Sequence, residues 1–116
     1  MWRIDYSPDD SLLGIEIGGE LTLEALRELA EAHARALEAT GGAAFRVRLD
    51  LRDLFPLDED ELMLLADMKR VAAAMEGCRG IRILATSPTV ALQQRHTASG
   101  HADENVVLEA RPKLAI

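Results

Sequence analysis

The stretch RVRLDLRDLFPLDEDELMLL, from Arg46 to Leu65, constrains this chain more than any other. Val47, Leu49 and Leu51 alternate with Arg46, Arg48, Asp50 and Arg52, the period-2 pattern of a strand. Phe55-Pro56 ends it, because proline has no N–H to give and pushes the residue before it out of the helical region. Asp58-Glu59-Asp60-Glu61-Leu62 then reads as a helix start. Asp58 is the expected N-cap and Glu61 the reciprocal carboxylate of a capping box, with Leu57 and Leu62 in hydrophobic-staple positions. Carboxylates suit this first turn, where backbone N–H groups are unpaired and the helix dipole favours negative charge. One short loop therefore joins a buried strand to a long helix and presents acid on the surface.

The flanking sequence supplies elements to pack around that strand. Trp2 to Tyr6 alternates apolar and polar, Ser7-Pro8-Asp9-Asp10 is turn chemistry, and Leu13, Ile15 and Ile17 line one face of a second extended run. Gly18-Gly19 breaks it. Thr22 is the expected N-cap of a first helix, with Leu26, Leu29, Ala30, His33 and Leu37 on one apolar stripe and Gly41-Gly42 closing it. A second helix is predicted over 59–76, with Gly77 as its stop. Its apolar residues, among them Met63, Leu64, Leu65, Met68 and Val71, spread beyond a single stripe. A strand over 81–85, a helix from Pro88 to Ser99 with Ser87 as N-cap, and a strand over 106–110 complete the chain. The order β-β-α-β-α-β-α-β predicts an α/β fold in one domain over 1–116. Its mixed sheet starts antiparallel and carries helices mainly on one face.

Composition narrows the function classes. The formal net charge of −7 lacks the Lys/Arg clusters that drive nucleic-acid binding or attraction to an anionic membrane. The lone Cys78 leaves no internal disulfide and suits a reducing cytosol, so a cytoplasmic location is expected. No signal pattern is present, and no apolar run approaches the roughly 18 residues of a membrane span.

The element order resembles the STAS fold of anti-sigma factor antagonists and the related SpoIIAA-like proteins. So do Gly19-Glu20-Leu21-Thr22 before the first helix and Leu49-Asp50-Leu51 followed by Leu57-Asp58. The resemblance implies a bacterial, non-enzymatic protein that works by docking on a protein partner, anti-sigma-factor-like or other. In that family the strand-loop-helix junction reads Asp-Ser-Ser-Gly, and a partner kinase phosphorylates the first serine. Here Asp58 matches the aspartate, Glu59 stands at the phosphorylated serine, Asp60 at the second serine and Glu61 at the glycine. A carboxylate cannot accept phosphate, so the resemblance carries over no phosphorylation site. Glu59 brings one negative charge where phosphoserine brings about −1.5 to −2. SpoIIAA-like proteins are also similar to lipid-carrier domains. That gives an alternative expectation of a small apolar ligand between helices and sheet, which the Leu- and Met-rich second helix would suit.

Other chemistry has weaker sequence support. Asp53, Asp58, Glu59 and Asp60 lack the ligand pattern and turn glycine of a Ca²⁺ loop, and capping accounts for the acids. His33 lies on an apolar stripe and is expected to be packed. His96, His101 and Cys78 would need an orienting carboxylate and a pocket to form a site. No glycine-rich phosphate cradle occurs. The expected contact surface is Asp58, Glu59, Asp60, Met63 and Leu64, with no cofactor and no metal. A homodimer is the simplest way to cover its apolar part.

Overall fold

The computed structural model describes residues 1–109. The elements run β1 (Trp2–Ser7), β2 (Leu12–Gly19), α1 (Leu23–Ala39), β3 (Phe45–Leu54), α2 (Glu59–Ala74), β4 (Cys78–Ala85), α3 (Pro88–His96) and β5 (Glu104–Leu108). They form one five-stranded sheet in the order β1-β2-β3-β4-β5. β1 pairs antiparallel with β2 through a hairpin, and every later pair is parallel. Each parallel step moves the chain one strand in the same direction, and right-handed crossovers then put all three helices on the same face.

Register carries the alternation of β3 across the sheet. Ile15 pairs with Leu49, Leu49 with Ile83 and Ile83 with Val106, so odd-numbered residues of β2, β3 and β4 form the apolar floor under the helices. Leu26 and Leu29 of α1 and Leu65, Met68 and Ala72 of α2 press down on it, each at most 5% exposed. Parallel sheets are usually covered on both faces, with strands reading as continuous apolar runs. This one alternates, and among the described residues its even-numbered side chains form a largely polar face that carries no helix.

Several boundaries move from those the sequence predicts. α2 stops at Ala74 rather than Glu76, because Met75 already has extended backbone. Gly77 is not a φ > 0 stop. It is there for room, since a Cβ would run into the Ala43 carbonyl oxygen. α3 ends at His96, capped by Thr97, whose hydroxyl donates to the Gln93 carbonyl at 2.8 Å. β4 begins earlier than predicted, at Cys78, where the strand meets Phe45. β5 begins at Glu104, and its predicted last residue, Ala110, lies outside the described residues. Gly41 and Gly42 take the positive φ values, 59° and 84°, expected after α1.

Candidate functional site

The β3–α2 junction is tied down on both sides. The Phe55 N–H donates to the Gly19 carbonyl at 3.2 Å, fastening the loop to the end of β2. Gln93 of α3 grips Leu57 at both backbone groups. Its Oε1 accepts from the Leu57 N–H at 3.1 Å and its Nε2 donates to the Leu57 carbonyl at 2.9 Å. The Leu57 side chain is buried in the core, while Phe55, two residues before it, is 59% exposed. The predicted capping box forms, with Glu61 Oε1 accepting from the Asp58 N–H at 3.1 Å. Asp58, Glu59 and Asp60 all face solvent.

The loop borders a depression of about 530 Å³ between the starts of α1 and α2, lined by Glu20, Leu21, Leu23, Phe55, Pro56 and Asp60 among others. Thr22 caps α1 on its wall, its hydroxyl accepting from the Ala25 N–H at 3.1 Å. Of the apolar residues predicted to spread around α2, the fold divides the set. Met68 is buried in the core and Leu64 is half-buried against it. Met63 and Val71, eight residues apart on one side of the helix, stay 47% and 57% exposed. Asp67 and Arg70, joined as an ion pair, lie between them.

His33, His101 and the cysteine are occupied structurally, while His96 is exposed in the last turn of α3. His33 is buried, and burial alone lowers its pKa from 6.5 to about 4. His101 bonds the Cys78 carbonyl through Nε2 at 3.0 Å and accepts the Asp103 N–H on Nδ1 at 2.9 Å, which sets its tautomer. Burial pushes the Cys78 thiol up. Among the described residues no group of three or more His, Cys, Asp or Glu side chains is placed to hold a metal ion. None of the helices in the described residues is long and apolar enough to cross a membrane.

Sequence reasoning missed a buried polar cluster between α2, the end of α3 and the start of β5. Lys69 of α2 and Glu104 of β5 form an ion pair at 3.6 Å, their side chains 3% and 6% exposed. Lys69 Nζ also donates to the Gln94 carbonyl at 3.3 Å. Glu104 Oε1 accepts from the Ser99 N–H at 2.9 Å and from the Ser99 hydroxyl. Burial lowers the Lys69 pKa, and the Glu104 carboxylate opposes that. Gln94 is fully buried with neither side-chain amide atom bonded. One signal was available. Lys69 sits four residues after Leu65 and three before Ala72, on the core stripe, and Gln94 likewise follows Val90 and Ala91.

A mixed five-stranded sheet in sequential order, with an antiparallel first strand and three crossover helices, is the fold of the STAS class. A particular example is the structure titled "Structure of the Bacillus Cell Fate Determinant SpoIIAA in the Phosphorylated Form". It matches with a TM-score of 0.67 and 18% identity, over 94% of this chain and 93% of that one. At that identity the likeness establishes the fold. No family model and no curated protein matches the sequence.

Proposed function

We propose that this chain is a cytoplasmic, non-enzymatic docking module. Its contact with a protein partner is made by Asp58, Glu59, Asp60, Met63 and Leu64. The observation that carries this reading is Met63, 47% exposed directly after a turn of solvent-facing carboxylates. An apolar centre with a charged rim is the make-up of a protein interface. Gln93 and the capping box hold the loop in place, so little ordering entropy opposes docking there. By the resemblance read from the sequence, Glu59 stands where the family carries its phosphorylated serine. The surface is then permanently charged and is not switched by phosphorylation. The carrier alternative would need the interlayer space that Leu26, Leu29, Leu65 and Met68 occupy.

Pull-down from the source cytosol, followed by native mass spectrometry, identifies the partner and any homodimer. Met63→Glu should weaken partner capture and shift self-association towards monomer while the domain stays folded. Equal capture by wild type and variant would refute the site, and a clean monomer at high concentration would refute the dimer. Incubation with a kinase of the anti-sigma type should give no mass shift. A phosphate at Ser87 or Thr89 that partner release requires would refute the unswitched reading.

A further inference from the structure

The face of the sheet without helices carries a row of side chains set by strand register. Asp5 pairs with Gly14, Gly14 with Arg48, Arg48 with Arg82 and Arg82 with Asn105, so these five residues cross the sheet in line. Arg48, Arg82 and Asn105 are exposed. Neighbouring strands lie roughly 4.8 Å apart, which puts the two arginines side by side. Like charges directly opposite each other on a sheet are destabilising.

The other arginines of this face already have acids. Arg3 pairs with Glu16 at 2.7 Å and Arg46 with Asp103 at 3.2 Å, the latter over Gly80, which has no Cβ to obstruct it. Arg52 pairs with Asp50 at 2.7 Å and with Glu109 at 3.3 Å. Arg48 and Arg82 make no hydrogen bond or ion pair among the described residues, and Asp5 is two strands from the nearer of them, across a glycine. In a chain of net charge −7, two adjacent cations have no carboxylate bonded to them among the described residues, and the acid whose charge Arg48 does feel, Asp50, is held by Arg52. They line a cleft of about 580 Å³ whose wall includes Leu12, Leu84 and Asn105, and whose two carboxylates, Asp103 and Glu109, are already paired with Arg46 and Arg52. That volume lies in the range of small-molecule sites and exceeds what one oxyanion fills.

We propose that Arg48, Arg82 and Asn105 form a binding site for a small phosphate monoester, its organic part resting over Leu12. Two guanidinium forks supply paired N–H donors to the oxygens of one tetrahedral dianion, and the Asn105 amide adds a neutral donor. A single carboxylate would neutralise only one of the two cations. Binding removes the repulsion that the empty row carries.

The test titrates phenyl phosphate and, separately, inorganic phosphate into the isotope-labelled protein at constant low ionic strength, following amide shifts by NMR. Phenyl phosphate should give saturable shifts at Gly14, Arg48, Arg82 and Asn105, and bind more tightly than inorganic phosphate. Arg48→Gln and Arg82→Gln should each weaken it about tenfold, the loss of one charge-assisted pair. Arg3→Gln, which removes an arginine already paired with Glu16, should leave binding unchanged. Without ligand, Arg82→Gln should melt at or above the wild-type temperature, because it relieves repulsion. Absence of saturable shifts on this row, or equal affinity in the Arg48 and Arg82 variants, would overturn the site. Equal affinity for the two phosphates would overturn the organic subsite.

Discussion

Acid should destabilise this protein well above the carboxylate range, and one residue is responsible. His33 sits among Leu26, Leu29 and Leu37 on the buried stripe of α1, 3% exposed, with burial the cause of its lowered pKa. Its folded pKa of about 4 lies below the unfolded value of 6.5. Between those values the unfolded chain takes up a proton that the folded chain refuses, so stability falls as pH falls. The contribution is fully present above 6.5 and gone near 4. At about 1.4 kcal/mol per pH unit that window corresponds to roughly 3 kcal/mol, a large part of the roughly 5–15 kcal/mol that holds a domain together. Asp50 acts in a separate window. The Arg52 hydrogen bond holds its pKa below 3.8, so its loss begins only under that value. Urea unfolding of wild type and His33→Leu from pH 7 to pH 4 isolates the term, because leucine keeps the burial without the proton. The variant should lose roughly 3 kcal/mol less across this range. Parallel stability curves for the two proteins, or an imidazole titrating near 6.5 in the folded state, would refute the reasoning.

The Lys69–Glu104 pair predicts a non-additive result. Glu104→Gln leaves a buried ammonium without its carboxylate and should cost about 3 kcal/mol, whereas Lys69→Met with Glu104→Leu should recover most of it. A single variant as stable as wild type in urea would show that the pair carries no charge in the folded protein. Gln93→Ala removes both bonds to Leu57 and should cost about 1–2 kcal/mol. Hydrogen exchange at the Leu57 amide should accelerate with it, and unchanged exchange would mean the loop holds itself.

The sequence alone determined the element order and the inner face of the sheet, because both rest on local rules. Alternation at Val47, Leu49 and Leu51 names a half-buried strand, and Asp58 with Glu61 names a helix start, whatever surrounds them. The loop was legible for the same reason. Local rules do not say what a helix end meets, and there only tertiary structure decided. Gly77 stands where it does because the Ala43 backbone comes close, a contact between segments distant in sequence. Met63, Leu64 and Met68 are all apolar, and which side of α2 meets the sheet and α1 decided that Met68 is buried and Met63 is not. Lys69 and Glu104, thirty-five residues apart, become one buried pair only when the fold brings the start of β5 within reach of α2. The Arg48–Arg82 row depends on register as well. Each arginine looks solvated in its own strand, and parallel pairing makes them neighbours.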